Sequence, residues 1–401
     1  MPDRILTSHA GSLPRPEDLI ALNERRAAGD FTDEPAYLSR LRAAVADVVA
    51  RQHDIGIDLV NDGEYGHSMG QRYDYGSWWT YVFQRLGGVE LTQGELAEIP
   101  QAPAKPGEIV LASFAERRDW QAFLDAYLDP TAGVGLPNRA AIAPVCRGPI
   151  SYQGQADVQR DIADMKAAMA AAGVSDGFLN SVAPGSCARF GNEFYADDEE
   201  MMYACADAMR EEYTAIIDAG LVLQLDDPAI AENWDQINPA PSVEDYRRFT
   251  RKRVEALNYA IRDLPAERIR FHLCWGSWHG PHITDIPMAD IVDVMLAVNA
   301  RAYSFEAGNV RHEHEWKVWQ DVVLPDGKLI LPGVVSHATN VVEHPELVAE
   351  RIGRFTSLVG RERVIASTDC GLGGRVHPDI AWAKLATLVE GAALASRALW
   401  G

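Results

Sequence analysis

At 401 residues the chain has room for two ordinary domains or for one large α/β barrel with an insertion. Its 47% hydrophobic and 24% charged residues, free of low-complexity bias, exclude a disordered or fibrous chain. With 37 basic against 58 acidic side chains, a formal charge of −21, and no basic run interleaved with aromatics, nucleic acid and anionic membrane surfaces are excluded as partners.

The opening stretch Met1-Pro2-Asp3-Arg4-Ile5-Leu6 has no charged region followed by a long apolar core, and no run of about 18 apolar residues occurs anywhere. The expected location is the cytoplasm, with no membrane partner. Runs with strand character follow at Ile5 to Ser8, Ile57 to Asn61, Gly177 to Val182, Leu221 to Leu225, Ile269 to Cys274, Ala302 to Phe305, Leu329 to Val335 and Val364 to Ser367. Between most of them lie amphipathic segments such as Tyr37 to His53, Asp157 to Ala172, Glu199 to Ala219, Val243 to Arg262, Pro287 to Val298 and Pro345 to Leu358, several opening on Ser, Asp or Pro as helices do. Alternating strands and helices pair in parallel, and eight such units predict a closed (β/α)8 TIM barrel within the α/β class. One further run, Ala141 to Val145, stands outside this count. Together with the aromatic and Gly-rich region from Tyr65 to Gly135, it predicts an insertion after the second strand. Residues 65–150 would then form a cap or hairpin over the mouth of a single barrel spanning 1–401; the alternative is a small separate domain.

The polar residues fall in a telling place. Ser12, Glu64, Asp226, His272, Cys274, Glu306, His337 and Cys370 all sit at or just past the C-terminal ends of predicted strands, which in a barrel converge on one face. In Arg270-Phe271-His272-Leu273-Cys274, alternation sends His272 and Cys274 to the same side of a strand. Glu306 and Cys370, each closing a later apolar run, complete a plausible zinc set. Two thiolates favour zinc over magnesium or calcium, and a carboxylate among soft ligands suggests one that yields to substrate. The five cysteines are odd in number and widely spread, which argues against a disulfide framework. Cys146, Cys187 and Cys205 read as small buried residues.

Other candidates read differently. His279 and His282 are expected to line the mouth of the site. His312 and His314, in the charged run Arg311-His312-Glu313-His314-Glu315, read as an exposed helix start. Trp78, Trp79, Trp275 and Trp278 read as core or lid packing, with stacking on a flat donor as the alternative. Gly371, Gly373 and Gly374 read as a flexible loop, with an anion cradle as the alternative.

In combination these motifs resemble the catalytic C-terminal barrel of cobalamin-independent methionine synthase, and most of all the shorter single-barrel members of that superfamily, which is related to epoxyalkane:coenzyme M transferase and uroporphyrinogen decarboxylase. The resemblance runs from His9-Ala10-Gly11-Ser12-Leu13-Pro14-Arg15-Pro16 to Thr368-Asp369-Cys370-Gly371-Leu372. It implies zinc ligands at His272, Cys274, Glu306 and Cys370. It also implies a turn at Gly11 and Ser12 for an amino-acid carboxylate, acids at Glu64 and Asp226 for its ammonium, and a catalytic histidine at His337. For His337 the alternative is a structural histidine; for Asp226 and Asp227, before Pro228, a capped turn; for Glu64, a solvated turn. There is one departure. The family's folate-stacking Trp after the third strand has no counterpart in Ser181-Val182-Ala183-Pro184-Gly185-Ser186-Cys187-Ala188-Arg189-Phe190, and its duplicated N-terminal barrel has none in these residues.

The expected activity is a zinc-dependent S-methyltransferase that activates a small thiol, homocysteine first, and alkylates its sulfur. Zinc deprotonates a thiol whose ordinary pKa is about 8.5 while leaving it nucleophilic. The methyl or alkyl donor is a folate, a corrinoid protein or a small metabolite. The alternatives are the same chemistry on another thiol or electrophile, of the coenzyme M and epoxide kind, a metal-free lyase like uroporphyrinogen decarboxylase, or a non-catalytic thiol-binding protein.

Overall fold

A computed structural model describes residues 3–27, 29–30, 33–67, 77–93, 109–111, 116–134 and 142–401. Eight strands make one parallel sheet. They are β1 (Leu6–Thr7), β2 (Val60–Asn61), β5 (Gly177–Val182), β7 (Val222–Asp226), β8 (Ile269–Leu273), β9 (Ala302–Phe305), β10 (Leu329–Val335) and β11 (Ile365–Thr368). Their order, β1-β11-β10-β9-β8-β7-β5-β2, is the chain order wound once round. The sheet's two ends meet through Thr7, whose carbonyl accepts from the backbone of Asp58 (3.2 Å) and Leu59 (3.1 Å). The fold is the expected (β/α)8 barrel. β5, β8, β9 and β11 are buried along their whole length, as strands covered on both faces must be.

Helices cover the outside because their apolar residues recur at helical spacing. In the helix Val243–Ala260 the buried positions include Tyr246, Thr250, Val254 and Leu257; in Pro345–Val359 they include Val348, Ile352 and Phe355. Each fully buried Val, Leu, Ile or Phe among them contributes about 1.5–3 kcal/mol. The starts are capped from the sequence: Asp33, Asp197 and Ser242 accept from the backbone of Ala36, Glu200 and Asp245. Among the described residues, no helix is long and apolar enough to cross a membrane.

After β2 the chain departs from the barrel. β3 (Leu86–Gln93) pairs antiparallel with β4 (Ile142–Tyr152), and the short β6 (Gly191–Asn192) adds to β4 in parallel. The run from Ile142 to Val145 thus belongs to a hairpin in the second connection. Much of the predicted 65–150 insertion, namely 68–76, 94–108, 112–115 and 135–141, lies outside the described residues. Arg85 ties the hairpin down. It donates to Glu212 Oε2 (2.8 Å) and Asp161 Oδ2 (2.6 Å), while Tyr81 and Tyr152 give their hydroxyls to the same Glu212. Farther on, the short helices Arg118–Ala122 and Leu124–Leu128 lie against the loop after β8, where Trp120, Tyr127 and Trp278 form a small apolar cluster of their own.

Candidate functional site

Alternation along parallel strands decides which side chains meet at the C-terminal rim. On β8 and just beyond, Arg270, His272 and Cys274 share one face; on β7, Gln224 and Asp226 do; past β11 comes Cys370. The ligand atoms of His272, Cys274 and Cys370 all lie within 4.8 Å of one another. A tetrahedral zinc with bonds of about 2.0–2.3 Å asks its ligand atoms to stand roughly 3.3–3.8 Å apart, which this cluster accommodates. Ser304, inward on β9, bonds His272 Nδ1 at 3.1 Å and so fixes the ring, while His272 Nε2 is buried with no hydrogen-bond partner among the described residues. A ligating histidine is held at one nitrogen and free at the other in this way.

Glu306 stands beside this cluster and not within it. Its neighbours are His337 and Asp369, the three forming a second group whose ligand atoms are also within 4.8 Å. Glu306 Oε1 accepts from the backbone of Trp275 (2.9 Å) and Oε2 from Asn309 (2.7 Å). Asp369 is pinned by the backbone N–H groups of Ala307 and Gly308, both at 2.7 Å. Gly333 leaves it room, since a Cβ there would stand 2.4 Å from the Asp369 Cα. His337 is buried, its carbonyl accepting from His279 Nε2 (3.1 Å) and its own Nδ1 without a partner among the described residues.

Gly11, Ser12, Glu64 and Asp226 come together across the barrel axis from residues far apart in sequence. Gly11 has φ +130°, and a Cβ there would meet Glu64 Oε1 at 2.3 Å and Asn180 Nδ2 at 2.4 Å, so only glycine allows the approach. Asn180 donates to the Ala10 carbonyl (3.0 Å) and to Asp226 Oδ2 (2.9 Å), and Gln224 donates to Asp226 Oδ1 (2.7 Å). The Ser12 carbonyl accepts from the backbone of Leu372 (2.9 Å) and Gly373 (3.0 Å), which places the first loop against the one carrying Cys370.

Burial governs the charges. It raises Glu64 well above the usual carboxylate range, and the neighbouring Asp226 raises it further; burial lifts Asp226 itself to about 6. Two buried acids side by side, one raised by the other, favour a cation between them. The Cys370 thiol is held well below its ordinary value, first by Cys274 and also by His272, whereas Cys274 is raised by its bond to Cys370. A metal ion in this cluster would displace the remaining thiol proton. Burial takes His337 down to about 3.

Other residues fall as read or against the reading. Cys146, Cys187 and Cys205 are buried. Trp275 and Trp278 pack, stacked on His312 (4.1 Å) and His282 (4.0 Å). His312 corrects its expectation: it is 4% exposed, bridging Asp285 (3.0 Å) and Glu315 (2.8 Å), because the turn after β9 folds inward over Trp275; His314 is exposed as expected. Asp227 accepts from Ser186 Oγ (2.7 Å) and makes no side-chain cap of its own turn. Asn180, Gln224, Ser304, Asn309 and Asp369 escaped sequence reasoning. A signal existed for three of them: Asn180, Gln224 and Ser304 are polar residues inside strands otherwise built to be buried.

The family described as "Cobalamin-independent synthase, Catalytic domain" matches residues 139–394. A methionine synthase of Saccharolobus solfataricus is 25% identical over 203 residues, which is 50% of this chain and 52% of that one, so the match spans about half of that relative. The 2-hydroxypropyl-CoM lyase of Xanthobacter autotrophicus is 23% identical over 96% of this chain and 94% of its own. Among solved structures, a B12-independent methionine synthase from Shewanella sp. W3-18-1, in complex with selenomethionine, superposes with TM-score 0.71 at 18% identity, covering 99% of each chain.

Proposed function

From the premise that the chain belongs to the cobalamin-independent synthase family through its catalytic domain, we propose that it is a zinc-dependent S-methyltransferase of cytoplasmic metabolism whose acceptor is a small α-amino thiol, homocysteine first. The observation that carries this reading is the His272, Cys274 and Cys370 cluster facing the buried acids Glu64 and Asp226. A metal-free lyase has no use for two sulfurs beside an unpartnered imidazole nitrogen. The Shewanella neighbour, solved with selenomethionine, lends support from the amino-acid side.

His272, Cys274 and Cys370 would hold the zinc, with Glu306 next in reach once it releases Trp275 or Asn309. When bound, zinc supplies a Lewis acid that keeps a thiol deprotonated and nucleophilic at neutral pH. Glu64 and Asp226 take the ammonium and the turn at Gly11 and Ser12 the carboxylate, so the thiol end is aimed at the metal. His337 relays a proton beside the leaving group. The donor is a folate, a corrinoid protein or a small methylated metabolite. The test is metal content by elemental analysis, with zinc-edge X-ray absorption on adding homocysteine. We expect one zinc per chain, lost in Cys370→Ser, and an added sulfur neighbour with homocysteine; a metal-free protein, or zinc indifferent to every thiol, sinks the proposal.

The full-length likeness to a 2-hydroxypropyl-CoM lyase favours a second reading, in which the thiol carries a sulfonate and the electrophile is epoxide-like. Glu64→Gln separates the two. It weakens an ammonium-bearing thiol by about tenfold or more through the lost charge-assisted bond, and leaves a sulfonate thiol unchanged.

A further inference from the structure

Two buried polar atoms beside the proposed substrate site have no hydrogen-bond partner among the described residues: Oε2 of Glu64 and Nδ1 of His67. They stand 3.8 Å apart, beyond hydrogen-bond length. Glu64 is 4% and His67 6% exposed, so bulk water does not satisfy them.

The Glu64 backbone and the His67 ring are both held in place. Glu64 is held at φ +60°, a left-handed conformation that residues with a Cβ seldom adopt. Its backbone N–H donates to Asp62 Oδ1 (2.9 Å), and Arg15 donates to the carbonyls of both Glu64 and His67. The His67 ring lies flat on Tyr81, with centroids 3.9 Å apart and planes 2° from parallel, and Tyr81 is itself anchored to Glu212 (2.9 Å). The two atoms are thus left facing each other at 3.8 Å without a bond. Once ionised, the Glu64 carboxylate only accepts, so a donor is what it can share with His67. One nitrogen can sit at about 2.9 Å from each of two acceptors this far apart. An ammonium, with three N–H groups, can serve both and still reach a third.

We infer that His67 is a third acceptor for the ammonium of an α-amino thiol, beside Glu64 and Asp226, and hence a determinant of the preference for amino thiols over thiols without the amine. The inference rests on the reading that this site binds an α-amino thiol. Burial, then the charge of Arg85, lowers His67 well below the usual histidine range, which keeps the imidazole neutral and able to accept.

The experiment compares homocysteine with 4-mercaptobutanoate, the same molecule without its amine, by calorimetric titration of the zinc-loaded protein. His67→Phe keeps a ring on Tyr81 and deletes the acceptor; His67→Leu is a second deletion, and His67→Gln retains an acceptor. We expect both deletions to raise the homocysteine Kd about tenfold or more, with 4-mercaptobutanoate unmoved and His67→Gln recovering part of the loss. An unchanged homocysteine Kd, or equal losses for both thiols, in variants whose thermal unfolding matches wild type overturns the role of His67. A wild-type protein that binds the two thiols alike overturns the amino-thiol reading beneath it, which is a different result.

Discussion

Asp62 shows how far burial can move a single group. Its carboxyl lies beneath the Glu64 turn, and burial, then the charge of Asp161, lifts it to about 7 from an ordinary 3.8. Between those two values the folded chain holds a proton that the unfolded chain has released. Stability therefore falls as pH rises through that window, and the penalty is complete above pH 7. Asn cannot ionise, and its oxygen can still accept from the Glu64 backbone, as Asp62 Oδ1 does at 2.9 Å. Asp62→Asn is accordingly expected to match wild type near pH 4 and to exceed it by on the order of 2–4 kcal/mol above pH 7. Urea unfolding of chelator-treated protein across that range is the check; parallel curves for the two proteins would contradict it. At this scale the sequence was readable wherever chemistry marks a residue strongly, as in His272-Leu273-Cys274. It was unreadable where an ordinary amide such as Asn180 acquires its task from Ala10 and Asp226, which only the fold brings near.

The elements were legible because their patterns are local. Each of the eight predicted strands has its counterpart in the barrel, though several are shorter than read. Thr7 gives its backbone N–H to the Asp58 side chain (2.8 Å), and Asp58 and Leu59 give theirs to the Thr7 carbonyl, so β2 becomes regular only at Val60. The β3/β4 hairpin is different in kind. Its attachment depends on Arg85 reaching Glu212 and Asp161 on helices that begin some seventy residues or more farther along. Those partners carry no local signature. Asp161 keeps a second cation in Arg160 (2.9 Å), while Glu212 has only Arg85 as its ion-pair partner among the described residues. Arg85→Met should therefore cost about 3–5 kcal/mol, mostly from the uncompensated Glu212 charge. Adding Glu212→Gln in the same chain should restore part of that, and the double-mutant cycle in urea reads the coupling directly. A simple sum of the two single losses would mean that the pair does not hold the hairpin.

Taken whole, the molecule sets a field that no single residue reveals. The chain as a whole carries a formal charge of −21, and the substrates proposed above would approach the rim through its field. A zwitterionic thiol feels little of it. A donor bearing several carboxylates, such as a folate, is repelled over distances that salt screens: the Debye length is about 30 Å at 0.01 M and about 8 Å at 0.15 M. Repulsion of like charge slows encounter just as attraction speeds it. If the donor is polyanionic, kcat/KM for the donor should rise several-fold between those two ionic strengths, while the value for homocysteine stays flat. A small cationic donor should show the opposite slope, and a neutral one none. Initial rates at fixed thiol and varied donor supply the slope. A folate-dependent rate that fell with added salt would show that cationic side chains at the mouth outweigh the net charge, and would move attention from the whole surface back to the residues lining the entrance.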